Sequence, residues 1–440
     1  MVVDKPAVNP PAEEAEGATK PPQHMGRFVS DVSEKQLLLQ LDSESQAWKR
    51  LPSQGILVSG HDLLALPAFR PLIALTAGLT IQLRGGTQIN LEAVDERETP
   101  RVALKFGRIV IGRVSKSETR LLLNLGSQPG TLVFVDPESR AAVEMTRTLT
   151  PGSNPERNPA VPVVEIYALS GRLVWETEDG LSKIEFKTPS RLTLGPTGLG
   201  PAEPVNEFPR WYVSDSIDKL SRSASRTLEE AILVDRPVTL GLKEELDHRK
   251  VEVRRLAAQS LGFVGDFGPL VSALDRPEEK LVWTWADHIE ELRDALARGP
   301  DVAGQVRSAL EEAFGPKGPK LYRMLWGYSP QQLVDERQDT ELVESLSDDL
   351  LAVRVVSFWN LNDITGARLY YHPTDTPIKR QKAIRVWERR LKDGEIRGKA
   401  AVPARPSPPP TSPAKVSPEE ETPVSAKPTA TLPLSAVSSP

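Results

Sequence analysis

The spacing of apolar residues changes once along this chain, close to residue 200. Between Gly26 and Leu199, short runs such as RVALKF alternate apolar and polar residues and are separated by Gly, Pro, Asn and Asp. From Pro209 onward, apolar residues recur every three or four positions, as in VEVRRLAAQSLGF. Alternation predicts antiparallel strands, whereas the wider spacing predicts amphipathic helices. The sequence therefore predicts a multidomain β-then-α protein, with an antiparallel β-sandwich or barrel-like domain over 25–200 and an α-helical domain over 201–398.

Both ends of the chain have a composition that does not favour a core. Residues 1–24 and 399–440 are rich in Pro, Ala, Ser, Thr and Glu and almost lack aromatic side chains. Such segments bury too little apolar surface to offset the entropy lost on ordering. We therefore expect disordered ends, with extended polyproline II stretches in the C-terminal run ARPSPPPTSPAKVSPEEETP.

The overall composition excludes several kinds of chemistry and partner. The 440 residues carry 55 basic and 60 acidic side chains, for a net charge of −5, and the two signs are mixed along the chain. Nucleic-acid binding requires clustered cations, so we expect no nucleic-acid partner. Cysteine is absent, which excludes disulfides, thiolate nucleophiles and thiolate metal sites.

No segment of the sequence is typical of membrane insertion. The first residues lack the basic and apolar runs of a secretory signal peptide. The most apolar stretch, PLIALTAGLTIQL at 71–83, is shorter than the roughly 20 residues needed to cross a bilayer. We therefore expect no membrane span in this chain.

One helical pattern occurs twice in the second half. VRRLAAQSL begins at Val253 and VRVVSFWNL at Val353, with Leu261 and Leu361 at matching positions. Helical hairpins in series stack on one another because a single hairpin cannot bury its apolar stripe alone. The pattern resembles HEAT-like repeats, in which Val-Arg is followed by small residues and Leu-Gly. The resemblance implies a packed α-helical module that ends in a helix centred on Trp387.

Three stretches of the first half carry a second resemblance: VALKFGRIVIGRV, GTLVFVDPESRAAVEM and VVEIYALSGRLVWET. Together they resemble the FecR-type domain, the outer-compartment portion of bacterial transmembrane signalling regulators. The resemblance implies tight turns at Gly107 and Gly171, each followed by a surface charge, Arg108 and Arg172. The insertion TLTPGSNPERNP and the missing membrane anchor depart from the family pattern. The resemblance suggests an extracytoplasmic location and the missing signal a cytoplasmic one, so the compartment stays open, as does the true start of the chain.

The histidines form no evident metal site. They are His24, His61, His248, His288 and His372. His288 has Glu290 and Glu291 beside it, but this helix is strongly charged, so we expect the three to form a solvated face. We expect His248 to belong to a capping turn and His372 to a structural turn before a proline.

Paired acidic residues and glycine-rich stretches give no catalytic pattern either. The acidic pairs are Glu244–Glu245, Glu278–Glu279 and Asp348–Asp349. Catalytic carboxylates need environments that separate their pKa values, whereas these pairs lie in polar contexts where we expect helices to start. GPTGLG lacks the Lys and Ser/Thr of a phosphate-binding loop, and GFVGDFG is expected to end a helix. The sequence therefore predicts no catalytic, cofactor-binding or metal-binding residues.

The helical half also concentrates aromatic side chains. They are Trp283, Trp285, Trp326, Tyr328, Phe358, Trp359, Tyr370, Tyr371 and Trp387. Exposed Trp and Tyr rings are favoured at binding sites, whereas rings at helical spacing are favoured in cores. We expect most of these rings to lie in the core.

Two functions remain open at this point. The first is a non-catalytic regulatory or scaffold protein that binds a protein partner through the FecR-type domain and the helical repeats, in envelope signalling. The second is an envelope carbohydrate-binding or carbohydrate-processing protein, with exposed Trp or Tyr rings beside paired carboxylates. A chromophore-lyase-like enzyme is a third idea, based on fold-level analogy alone. We expect no enzymatic activity and no cofactor, and the sequence leaves the oligomeric state open.

Overall fold

A β region is followed by a helical region in the computed structural model of this protein. The structure describes residues 22–29, 36–95, 98–126, 128–213, 218–277 and 285–396. Mostly antiparallel strands occupy 24–204 and helices occupy 210–392. The predicted order, β before α, is confirmed.

The edges of these regions differ slightly from the prediction. His24 already begins the first strand, although it was expected to end a disordered segment. The last strand runs to Pro204, past the predicted boundary at 200. Residues 1–21 of the first predicted disordered end and all of the second, 399–440, lie outside the described residues.

Seventeen strands lie within the described residues. They are β1 (His24–Val29), β2 (Leu39–Leu41), β3 (Trp48–Arg50), β4 (Ile56–Val58), β5 (Asp62–Ala65), β6 (Leu72–Leu75), β7 (Leu79–Leu83), β8 (Thr87–Glu92), β9 (Arg101–Arg113), β10 (Thr119–Asn124), β11 (Gly130–Phe134), β12 (Arg140–Thr148), β13 (Val161–Ser170), β14 (Leu173–Thr177), β15 (Lys183–Glu185), β16 (Ser190–Gly195) and β17 (Gly198–Pro204). Of the strand pairs described, that of β9 with β10 is parallel and the others are antiparallel.

Strand β9 changes its partners halfway along, and Gly107 marks the change. Before it, β9 pairs with β8, and after it with β7 and β12. Gly107 has φ +99°, and a Cβ there would lie 2.4 Å from the Thr87 Oγ1 atom. The expected turn at this position is wrong: the chain continues as a strand, and glycine is needed for the close approach. The turn expected at Gly171 is confirmed, since it joins β13 to β14 at φ +66°.

The core of the β region is built by the inward-facing residues of these alternating strands. It contains side chains from strands far apart in sequence, including Phe28, Leu63, Val143 and Trp175, each at most 1% exposed. Side chains of a strand point to opposite faces in turn, so each strand supplies every second residue. The alternation seen in the sequence therefore corresponds to a real buried face.

Twelve helices lie within the described residues. They are α1 (Arg210–Val213), α2 (Lys219–Ala231), α3 (Val238–Glu244), α4 (Val251–Phe263), α5 (Gly268–Ala273), α6 (Trp285–Arg298), α7 (Pro300–Phe314), α8 (Gly318–Leu325), α9 (Pro330–Asp335), α10 (Gln338–Glu344), α11 (Leu351–Thr365) and α12 (Pro377–Lys392). In the described part of the chain, no helix combines the length and the apolarity that crossing a membrane would require.

The two copies of the helical pattern occupy equivalent places in α4 and α11. Val253 and Leu261 in the first copy and Val353 and Leu361 in the second are all fully buried. Trp387 of the last helix is also fully buried, in the same core as α11. The predicted apolar stripe and the final helix centred on Trp387 are confirmed.

The β region and the first helices share a core. Leu39 and Leu64 from strands β2 and β5, and Phe69 from the turn after β5, pack in one cluster with Leu228 of α2 and Leu256 of α4. These side chains are at most 6% exposed. Removing that much apolar surface from water strongly favours the contact, so the two regions are packed together.

The insertion between β12 and β13 makes a second connection. The Glu156 carboxylate accepts hydrogen bonds from the Arg307 guanidinium of α7 at 3.0 and 3.1 Å and from the Tyr322 hydroxyl of α8 at 2.9 Å. The Gly152 carbonyl accepts a further bond from the Gln332 side chain. We call the contact of Glu156 with Arg307 and Tyr322 the Glu156 clasp. The insertion TLTPGSNPERNP therefore connects the β region to helices α7, α8 and α9.

Candidate binding surfaces

A cleft of about 340 Å³ opens where the β region meets α4 and α6. The Phe106 ring of β9 and the Phe263 ring of α4 lie 6.0 Å apart and form its apolar wall. Glu291, Asp294 and Arg298 enter it from consecutive turns of α6. Clefts between packed regions are common ligand sites, and the ligand that such a cleft favours depends on the charges of the side chains that line it.

Two of the three carboxylates that line the cleft, those of Glu291 and Glu144, are held by cations. Arg298 donates to Glu291 at 2.7 Å, and its guanidinium lies 3.9 Å from the centroid of the Phe263 ring. Across the cleft, Glu144 accepts hydrogen bonds from Arg108 and from the Trp211 indole, both at 2.7 Å. Arg108 was expected to be a surface charge; its side chain is 43% exposed and pairs with Glu144 at the cleft. Each of these two carboxylates is therefore neutralised by an arginine at the junction of the two regions.

Glu291 and Asp294, the two acids of α6 that line the cleft, do not form an acid–base pair. Burial raises the pKa of the Glu291 carboxyl, and the Arg298 charge only partly opposes this. Asp294 lies at the rim of the cleft, where solvent still reaches it. Partial desolvation by the neighbouring protein raises the pKa of its carboxyl as well. Acid–base catalysis by two carboxyls needs environments that push their pKa values apart. Here both pKa values move in the same direction.

His288 lies in a different cavity from these acids, also of about 340 Å³. Its side chain is 2% exposed, and neither ring nitrogen has a hydrogen-bond partner among the described residues. Burial, with the Arg255 charge as the second cause, lowers its pKa to about 4, so the imidazole is neutral at pH 7. The expected solvated face is therefore wrong for His288 and for Glu291, whereas Glu290 is exposed as expected. Helix α6 is charged at six of its fourteen positions and still buries one face, because other elements cover it.

The other histidines behave as structural residues. The Nδ1 atom of His248 accepts a hydrogen bond from the Lys250 backbone N–H, which confirms the predicted capping turn before α4. His372 is exposed, and its carbonyl accepts the Asp375 N–H in a turn, as predicted. Within the described ranges, no three His, Asp or Glu side chains are placed to hold a metal ion.

The acidic pairs have varied contexts. Glu244 ends α3 and is paired with Arg236, so the expectation that it starts a helix is wrong. Asp348 does precede a helix: it accepts the Leu350 N–H, and Lys317 lies 2.6 Å away. Glu278–Glu279 lies outside the described residues. None of the described pairs borders the cleft.

Most aromatic side chains of the helical region are buried. Trp285, Tyr328, Phe358, Tyr371 and Trp387 are at most 9% exposed, Trp326 and Trp359 are partly buried, and Trp283 lies outside the described residues. The rings that border the cleft are Phe106 and Phe263. The carbohydrate alternative predicts exposed Trp or Tyr rings beside paired carboxylates; of the described residues, those lining this cleft include no Trp or Tyr.

One ring of this set is displayed on the surface. Tyr370 is 94% exposed and, with Leu369, has a positive φ, at +57° and +45°. Its neighbour Tyr371 is buried and donates its hydroxyl to the Leu346 carbonyl at 2.6 Å. Two consecutive non-glycine residues with positive φ are strained, and such strain persists where the surrounding contacts impose it. The anchored Tyr371 provides that contact beside the start of α12.

The outward face of α12 carries a row of cations. Its members, which we call the basic stripe, are Lys382, Arg385, Arg389 and Lys392. They lie three or four positions apart, so they follow one side of the helix, and all four are exposed. In the part of the chain that the structure describes, none of the four forms an ion pair. The inward face is fixed by Ala383, Ile384 and Trp387, all buried.

The basic stripe was not among the predicted features, although the cation spacing is visible in the segment IKRQKAIRVWERRLK at 378–392. A cation at every third or fourth position over three turns predicts a charged helical face. Comparison with protein-family models and with curated proteins finds no match to this sequence.

Proposed function

We propose that this protein is a non-catalytic regulatory or scaffold protein that binds other proteins, with a FecR-type β domain and HEAT-like helical repeats. One observation carries the proposal: within the described residues, the exposed face of α12 carries cations that form no ion pair, while Glu144 and Glu291 in the cleft are each held in one. A surface that is charged, rigid and unpartnered is suited to recognition rather than to catalysis.

The packing supports a rigid platform. The shared core and the Glu156 clasp hold the β region against the helices, and α12 lies on the buried Trp387. Binding surfaces gain affinity when their side chains are positioned before the partner arrives. The serial hairpins with matching α4 and α11 support the HEAT-like assignment, and the Gly171 hairpin supports the FecR-type one.

Partner capture by the whole chain tests this proposal. The tagged full-length protein is cross-linked in its native host, purified, and compared with an unrelated tagged protein of similar charge. We expect the same partner protein in every replicate, and saturable binding when purified partner is mixed with purified protein. Absence of any reproducible partner, or turnover of a small-molecule substrate by the purified protein, would contradict the proposal.

A further inference from the structure

We propose that the basic stripe of α12 binds an extended acidic segment of a partner protein. This inference rests on the proposed function, because it names the chemistry of the partner that the platform recognises. Its starting point is that four exposed cations on one helical face have no acidic neighbour in an ion pair among the described residues. Like charges in one row repel one another, and an anionic partner removes that cost.

The length of the basic stripe fits a short extended segment. Helices rise about 1.5 Å per residue, so Lys382 and Lys392 lie roughly 15 Å apart along the axis. Side chains on one face of an extended chain repeat about every 6.6–6.8 Å. Three acidic residues at alternate positions of an extended segment therefore cover the same distance as the four cations.

The width of the basic stripe favours a single chain over a membrane surface or a nucleic acid. The exposed acids Glu388, Asp393 and Glu395 lie on the same helix or just after it, and Asp375 lies just before it. A membrane plane or a duplex would bring its own negative charges against these carboxylates, whereas one extended chain can follow the cations between them.

Two exposed aliphatic side chains add a specific element. Ile378 is 76% exposed at the start of α12 and Val386 is 39% exposed beside the basic stripe. Exposed ion pairs contribute little each and weaken in salt. An acidic segment with an apolar residue near its end would gain contacts that salt does not screen.

The test measures binding of a labelled peptide of about ten residues, alternating Glu and Ser, to the full-length protein by fluorescence anisotropy. We expect saturable binding in low salt that weakens as ionic strength rises. The variant Lys382→Glu/Lys392→Glu should bind at least tenfold more weakly. The matched control, Lys116→Glu/Lys187→Glu, makes the same charge change at exposed lysines of the β region and should retain the affinity.

Five results would overturn the inference. The first is equal loss of binding in both double variants, which would indicate net charge alone, and the second is no binding by the wild-type protein. If the protein with Glu419, Glu420 and Glu421 changed to Gln binds the peptide while the wild type does not, the occupant is the chain's own acidic triplet. Stronger stripe-dependent binding to phosphatidylserine vesicles or to single-stranded DNA would assign another partner class. If the native partner binds the Lys382→Glu/Lys392→Glu variant unchanged, this inference fails while the scaffold proposal stands.

Discussion

At the scale of single residues, His288 shows how packing determines the chemistry of a side chain. Its imidazole is 2% exposed and lines a cavity apart from Glu291 and Asp294, which enter the cleft. A histidine and two acids within seven positions of one helix therefore do not meet at one point.

The burial of His288 predicts a specific dependence of stability on pH. Its pKa falls from 6.5 to about 4 on folding, so the unfolded chain takes up a proton at a higher pH than the folded protein does. As the pH falls from 6.5 towards 4, the free energy of unfolding should decrease by up to about 3 kcal/mol from this residue, and the difference should stay constant below pH 4. Urea unfolding at several pH values should show a shallower decline for His288→Gln. Parallel pH profiles for wild type and variant would contradict this.

At the scale of secondary-structure elements, β9 and α12 show two uses of a regular element. Strand β9 contributes to two sets of strand pairs because Gly107 allows its backbone to pass close to Thr87 and Gly86. Helix α12 instead uses its regular geometry to separate a buried face from a cationic one. The irregular backbone at Gly107 and the regular period of α12 thus each determine which residues face a neighbouring element.

Substitution of Gly107 should reveal the close approach within β9. In Gly107→Ala, the new Cβ would lie within 2.4–2.6 Å of Thr87 Oγ1 and the Gly86 carbonyl, at a φ that alanine disfavours. We expect a loss of about 2–4 kcal/mol in the free energy of unfolding, measured with urea. The matched control is Gly180→Ala, which has φ +68° but no atom within 4 Å of the new Cβ, and should lose about 1 kcal/mol. Equal losses would show that φ alone, without steric contact, explains the glycine.

At the scale of the whole molecule, contacts distant in sequence join the two regions. The shared core combines strands β2 and β5 with α2 and α4, and the Glu156 clasp combines the insertion with α7 and α8. Two separate connections fix the orientation of one region against the other better than a single one. The cleft exists because of this arrangement, since its two walls come from different regions.

The Glu156 clasp should contribute measurable stability. Glu156→Gln removes the charge that accepts two bonds from Arg307 and one from Tyr322. Because these side chains are partly exposed, we expect a loss of about 1–2 kcal/mol in thermal or urea unfolding. The matched control is Glu311→Gln, whose carboxylate lies 3.9 Å from the same arginine within α7 and should cost at most about 0.5 kcal/mol. A larger loss in the control than in Glu156→Gln would rule out the clasp.

The sequence by itself determined the features that depend on local spacing. Alternation and helical period separated the β region from the helices and placed Val253 and Leu261 on a buried stripe, whereas the Gly171 turn and the helix centred on Trp387 came from the two resemblances. The spacing of apolar residues in a helix or strand shows which side chains share a face. That face is buried wherever another element covers it. The basic stripe belongs to this class as well, because its spacing is visible in the sequence.

Only the tertiary structure decided which segments cover one another. Local spacing carries no information about partners far apart in the chain, such as Glu156 and Arg307. It therefore could not show that the face of α6 with His288 and Glu291 is covered, or that Gly107 lies within a strand against Thr87. Burial and pKa depend on these distant contacts, so the environment of the ionisable groups was decided by the fold and not by the pattern.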